Sequence, residues 1–137
     1  MSSVHAHLPL DRGSLAEAAR RVFEEKGERW TETRAAVFDA LASAGKPSSA
    51  YDVAAAVSAA QTRRMPANSV YRILDLFAAH DVIKRIESRN AYVVNEHPGC
   101  RHDCIFLLCD SCGAIAHVDD DPTVARVRRT AAVDGFE

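Results

Sequence analysis

The 137-residue chain carries 17 Lys and Arg against 19 Asp and Glu, with 47% hydrophobic and 26% charged residues, enough apolar material for a core at about one domain's length. That size excludes a large multidomain enzyme, and a net charge of −2 provides no global positive field toward nucleic acid or membrane, so an anionic partner has to be met by a local patch. No run of about 18 apolar residues is present, and Met1-Ser2-Ser3-Val4-His5 lacks a basic stretch followed by an apolar core; neither a spanning helix nor a signal peptide is expected, which predicts a cytoplasmic protein without membrane partners.

The first half reads as punctuated helices. Ser14-Leu15-Ala16-Glu17 is a capping-box pattern, Ala18, Ala19, Val22 and Phe23 keep helical spacing, and Gly27 is placed to end the segment, which predicts a helix over 14–26. A second helix opens near Thr31 or Thr33, carries Val37, Phe38 and Leu41 on one face and stops at Gly45. Ser49-Ala50-Tyr51-Asp52 resembles another capping box, and Ala-rich sequence with Val53 and Val57 extends a third helix to about Ala60. A fourth starts at Asn68 or Ser69, with Val70, Ile73, Leu74 and Phe77 at i, i+3, i+4 and i+7 and with Tyr71, Arg72 and Asp75 on other faces.

Ile83-Lys84-Arg85-Ile86-Glu87 and Ala91-Tyr92-Val93-Val94 read as strands joined by Ser88-Arg89-Asn90. Helices followed by a hairpin is the order of a winged helix. Composition changes after Asn95, which places one domain at 1–95 and a second at 96–137. The second holds all four cysteines, strand candidates at 105–108 and 114–118, and a helix opening at Asp121-Pro122 with Val124, Val127 and Ala131 on one side.

Local charge is asymmetric. Between residues 61 and 90, Arg63, Arg64, Arg72, Lys84, Arg85 and Arg89 stand against Asp75, Asp81 and Glu87; between 101 and 121, Arg101 stands against Asp103, Asp110, Asp119, Asp120 and Asp121. An Arg in the exposed N-terminal turn of a helix can reach guanine O6 and N7 while flanking cations neutralise phosphates. The same charges would also suit a solvated surface.

Cys109-Asp110-Ser111-Cys112-Gly113 is a CxxC knuckle of the kind that brings two thiolates to one Zn²⁺. A thioredoxin-like redox pair shares the spacing but requires a βαβ context that the surrounding strand-like sequence does not show. Cys100, His102 and Cys104 alternate, so on an extended strand they point one way, and His117 on the next strand candidate is a natural fourth ligand. Buried free cysteines with a satisfied His remain the other reading. His80 and His97 are further candidates for that shell. No His-Glu-x-x-His, GxSxG, phosphate-cradling Gly-rich loop or zinc-deaminase pattern occurs, which argues against an enzyme and against a small-molecule substrate.

Taken together, these residues resemble the ferric uptake regulator family of metal-sensing repressors. Trp30-Thr31-Glu32-Thr33-Arg34 is similar to the family's Thr-x-x-Arg entry to its second helix, Ser69-Val70-Tyr71-Arg72-Ile73-Leu74 to its recognition helix, and Cys109-x-x-Cys112-Gly113 to its zinc knuckle. Ser49-Ala50-Tyr51-Asp52 and Glu87-Ser88-x-Asn90-x-Tyr92-Val93 resemble the zinc uptake regulator branch more than the iron or peroxide branches. The resemblance implies an α+β protein, an N-terminal winged-helix DNA-binding domain followed by a small α/β dimerisation domain. It further implies a Zn²⁺-dependent homodimer that represses zinc-uptake genes by binding a near-palindromic double-stranded DNA operator. Tyr71 and Arg72 would contact the operator, with Asn68, Ser69, Arg63 and Arg64 around them. Cys109 and Cys112 would hold a structural zinc and His102 a sensing zinc.

Two departures stand out. The zinc branch usually places sensing ligands where this chain has Lys84 and Asn95, which moves the sensing shell onto Cys100, His102, Cys104 and His117. The family also closes with another strand and often a second CxxC, whereas this sequence stops at Gly135-Phe136-Glu137. That implies either a truncated chain or an incomplete structural site, in which Cys109 and Cys112 are idle thiols or join Cys100 and Cys104 in a Cys₄ set. Strands 105–108 and 114–118 are expected to pair across the dimer.

Overall fold

A helix begins where something accepts its first N–H groups and stops where its last carbonyls find donors. The computed structural model describes residues 12–61, 63–99, 105–118 and 121–135. Helix α1 (Arg12–Glu25) is closed by Gly27 at φ +85°, whose N–H donates to the Glu24 carbonyl at 3.0 Å. Helix α2 (Glu32–Ala44) opens where Thr31 Oγ1 accepts from Arg34 N at 3.2 Å, and it stops at Gly45 in the left-handed region. Ahead of α3 (Ala50–Gln61) the capping box is reciprocal: Asp52 N donates to Ser49 Oγ at 3.1 Å, and Ser49 N donates to Asp52 Oδ2 at 3.3 Å. Helix α4 (Ala67–Ala79) starts earlier than its polar residues suggest. Extended Pro66 takes the N-cap position, and its carbonyl accepts from Ser69 N at 3.1 Å.

Strands β1 (Ile83–Ile86) and β2 (Ala91–Val94) form an antiparallel wing with Ile83 opposite Val94 and Ile86 opposite Ala91. The connection is a 3-10 turn at Glu87–Arg89 closed by Asn90 at φ 47°, a left-handed position that Asn tolerates. Ser48 adds a rung that the sequence pattern did not announce. Its N–H donates to the Tyr92 carbonyl at 3.0 Å, and Tyr92 N returns the bond at 2.8 Å. Strands β3 (Ile105–Leu108) and β4 (Ile115–Val118) form a second antiparallel pair, with Phe106 opposite His117, and α5 (Asp121–Val133) follows. β3 and β4, the strands expected to pair across a dimer, pair with each other within the chain, and among the described residues each has an outer edge in this two-stranded sheet.

The chain divides into two compact units, one spanning Pro9–Cys100 and a smaller one containing Arg101–Glu137. This is an α+β winged helix followed by a small α/β unit. Residues 95–99 belong with the first unit, because Asn95 N donates to the Val82 carbonyl at 3.1 Å and Gly99 N to the Asp81 carbonyl at 3.0 Å. Among the described residues, no helix is long and apolar enough to cross a membrane.

The core of the larger unit gathers Phe23 of α1, Phe38 of α2 and Phe77 of α4, all buried, around half-buried Trp30. Phe77 meets Phe23 edge-on at 5.2 Å between ring centroids and stacks on Trp30 at 5.5 Å. Such aromatic pairs add about 0.5–1.5 kcal/mol each beyond area burial. Phe77→Ala should therefore cost about 3–5 kcal/mol in chemical denaturation of the winged-helix unit. A loss below about 1 kcal/mol would show that the cluster does not anchor α4.

Candidate nucleic-acid interface and metal ligands

Val70, Leu74 and Phe77 face the core on one side of α4, and the same periodicity turns Asn68, Ser69 and Arg72 outward, where all three are exposed. The first turn of α4 carries no acidic residue, and Pro66 supplies no side-chain cap. Positive helix-dipole potential is therefore left uncompensated beside these donors. Arg63 and Arg64, in the connection ahead of α4, are also exposed. None of these five side chains has a partner among the described residues. Tyr71 is half-buried, and its ring meets that of Tyr51 edge-on at 6.1 Å.

Tyr51 is 67% exposed at the start of α3, an unusual place for a large ring with no core role. In the sequence Tyr51 reads as part of a capping box and of the zinc-branch resemblance, not as a surface feature. Its position two residues after the Ser49 cap, off the Val53 and Val57 stripe, was the available signal.

Thr31 and Arg34 do local structural work. Thr31 caps α2, while Arg34 Nη1 donates to the Arg29 carbonyl at 2.6 Å, lies 3.7 Å from Glu28 Oε2 and sits 5.4 Å over the Phe23 ring. The Thr-x-x-Arg spacing thereby ties the α1–α2 connection to the start of α2. His80 closes the same corner. Its Nε2 stands 3.4 Å from Glu28 Oε1, its ring packs edge-on to Phe23 at 5.4 Å, and Lys26 Nζ donates to its carbonyl at 3.1 Å. His97 is half-buried, with its backbone N–H donating to Asn95 Oδ1 at 3.0 Å. The structure thus places His80 and His97 in different hydrogen-bonded settings.

In the smaller unit, the knuckle joins β3 to β4. Cys109 N donates to the Ala114 carbonyl at 2.9 Å, Gly113 N donates to the Cys109 carbonyl at 2.9 Å, and Gly113 adopts φ +74°. Both thiols are exposed. The backbone N–H groups of Cys112 and then Ser111 pull the Cys109 thiol below its ordinary pKa, since they stabilise the thiolate. Thiolate-favouring amides around a CxxC turn fit a soft-ligated metal such as zinc. Cys100, His102 and Cys104 lie outside the described residues, as does the side chain of His117, whose backbone pairs opposite Phe106. Among the described residues, no three potential ligands converge.

Residues 25–137 match the ferric uptake regulator family. The chain belongs to that family. Holo XcZur is 34% identical over 90% of this chain and 86% of that chain, with a TM-score of 0.73. Apo XcZur is 32% identical over 91% of this chain and 86% of that chain, with a TM-score of 0.56. These likenesses place the chain in the zinc uptake regulator branch of the family. A zinc uptake regulator complexed with zinc and DNA shares the fold at 24% identity and a TM-score of 0.73, over 91% of this chain and 83% of that chain. No curated protein matches the sequence.

Asn95 follows β2 directly. Here the side chain is 5% exposed, Nδ2 donates to the Asp81 carbonyl at 2.7 Å and Oδ1 accepts from His97 N. The Asp81 carbonyl therefore receives two donors, Asn95 Nδ2 and Gly99 N, from a residue held at φ 59°. A Cβ on Gly99 would stand 3.2 Å from both Val22 methyl carbons, so glycine lets this stretch lie close against α1. These hydrogen bonds fasten residues 95–99 locally. Asn95→Ala should cost about 1–3 kcal/mol and speed amide exchange at Gly99 and His97; unchanged exchange at both would show that the side chain does not hold the segment.

Proposed function

We propose that this chain is a zinc-responsive, DNA-binding transcriptional repressor of zinc-uptake genes that acts in the cytoplasm as a homodimer on a near-palindromic operator. It is a regulator and not an enzyme. The observation that carries the reading is the outward face of α4, where Asn68, Ser69 and Arg72 present donors without partners among the described residues. They stand on a helix whose inward face is locked into an aromatic core. A donor-bearing helix on a rigid support suits the major groove, with Arg72 directed to a base, Tyr71 against the DNA, and Arg63 and Arg64 toward phosphates.

A single winged helix reads few base pairs, so a two-fold pair of such helices supplies the length of a specific site. The smaller unit suits the pairing role, with outer edges on β3 and β4 and with Leu107 57% exposed and Val127 51% exposed. Cys109 and Cys112, in this unit, are the proposed structural ligands, while Cys100 at the end of the larger unit and His102, Cys104 and His117 of the smaller one are proposed for sensing. Zinc, when bound, supplies a tetrahedral cross-link among thiolate and imidazole donors. For a switch from 1:99 to 99:1 the sensing residues must favour the DNA-competent arrangement by about 10⁴-fold, or roughly 5.5 kcal/mol.

Zinc titration of the metal-free chain, with DNA affinity and bound metal read together, tests the proposal. Affinity should rise with zinc and fall steeply with salt; a zinc-loaded chain with no salt-dependent DNA binding contradicts it. Arg72→Ala should cost about 1–3 kcal/mol on the preferred duplex and relax selection at one base position, and an equal loss on random DNA would remove Arg72 from base reading. His102→Ala and Cys104→Ser should each leave a folded dimer that gains no DNA affinity from zinc. If both still respond like the parent, the sensing residues lie elsewhere.

A further inference from the structure

Ser69 and Arg72 are three residues apart on α4 and share one side of it. They line one wall of an open depression of about 650 Å³, and the rest of its lining includes Arg29, Thr31, Thr33 and Arg34 from the α1–α2 connection and the start of α2. A helix seated in the major groove leaves the elements beside it facing the phosphate rows that border the groove. The chemistry of this second wall matches that location. Arg34 is committed to the Arg29 carbonyl, to Glu28 and to the Phe23 ring, so it holds the connection in place. Arg29 is different: it is exposed, and its guanidinium has no partner among the described residues.

Two carboxylates bear on the charge of this wall. Glu28, which lines the depression, lies 3.7 Å from Arg34 and 3.4 Å from His80. Glu32, in the first turn of α2, is exposed and is not part of the lining. The open cation facing the Arg72 side is therefore Arg29, with the exposed hydroxyl of Thr33 on the same wall.

We propose that Arg29, assisted by Thr33 and positioned by Arg34, grips a phosphate of the DNA backbone and thereby sets the register in which α4 meets the bases. The inference rests on the DNA-binding reading above and adds a contact from outside α4, its preceding connection and the wing. A phosphate contact neutralises charge without reading sequence, so it leaves a signature distinct from that of Arg72.

The test uses the zinc-loaded 137-residue chain, a duplex it selects from a random pool, and a scrambled duplex of equal length, each titrated across salt concentrations. Arg29→Ala should weaken both duplexes alike, by roughly tenfold near physiological salt, and should lower the salt slope by about one. Arg29→Lys should restore most of the slope, and Thr33→Val should weaken both duplexes by a smaller, equal factor with the slope retained. Zinc content and thermal unfolding of Arg29→Ala should match the parent. If the parent binds and Arg29→Ala keeps its slope and affinity, Arg29 makes no phosphate contact and the inference fails while the DNA reading stands. Loss on the selected duplex alone would assign Arg29 to base reading and likewise overturn it. A parent that binds neither duplex overturns both proposals.

Discussion

Four aromatic rings set the terms for the rest of the winged-helix unit. Phe23, Trp30, Phe38 and Phe77 come from α1, the α1–α2 connection, α2 and α4, and their centroid separations run from 5.2 to 6.1 Å. Because interlocked rings leave few alternative rotamers, the roll of α4 about its own axis is fixed by Phe77. Once that roll is fixed, the directions of Asn68, Ser69 and Arg72 follow from helical geometry. The precision of the outward face is a property of the buried one.

The same cluster organises the charges beside it. Phe23 receives the Arg34 guanidinium on its face and the His80 ring on its edge, and both side chains flank Glu28. This corner couples the entry of α2 to the end of α4, the two elements whose exposed residues line the depression. Arg34 is half-buried and committed, whereas Arg29, five residues earlier, is exposed. Arg34, in the first turn of α2, holds the backbone of the connection, while Arg29 within that connection is left open to solvent.

Much of this was legible in the sequence because it follows local rules. The apolar stripe Val70, Leu74 and Phe77 came from the 3.6-residue period, the Ser49 and Asp52 box from a short-range hydrogen-bond pattern, and the CxxC knuckle from ligand spacing. The features that were not legible depend on contacts between distant segments. Ser48 pairs with Tyr92 from a distant part of the sequence, and Asn95 clasps Asp81 through a conformation no periodicity encodes. Pro66 as the N-cap of α4 was hidden because its contribution is a carbonyl, not a side chain. The basic cluster between residues 61 and 90 is far from Arg29 in sequence, so only the fold groups Arg29 with Arg72.

The two units differ in what holds them, and that difference bears on where regulation can act. The winged-helix unit has a large apolar core and closes its exit at residues 95–99 with hydrogen bonds to Asp81 and Val82. In the smaller unit, Val124 is the one residue buried among those with described side chains, while Leu107, Val127 and Val133 stay exposed. A unit in which few of the described side chains are buried can gain stability from cross-links and association; its described residues offer an exposed CxxC turn and the outer edges of β3 and β4 for them. A ligand that contributes folding energy to the smaller unit changes its population far more than it changes a winged helix already stabilised by its own core. The aromatic core and the closed exit at residues 95–99 both lie in the Pro9–Cys100 unit, so the outward face of α4 rests on contacts made within that unit.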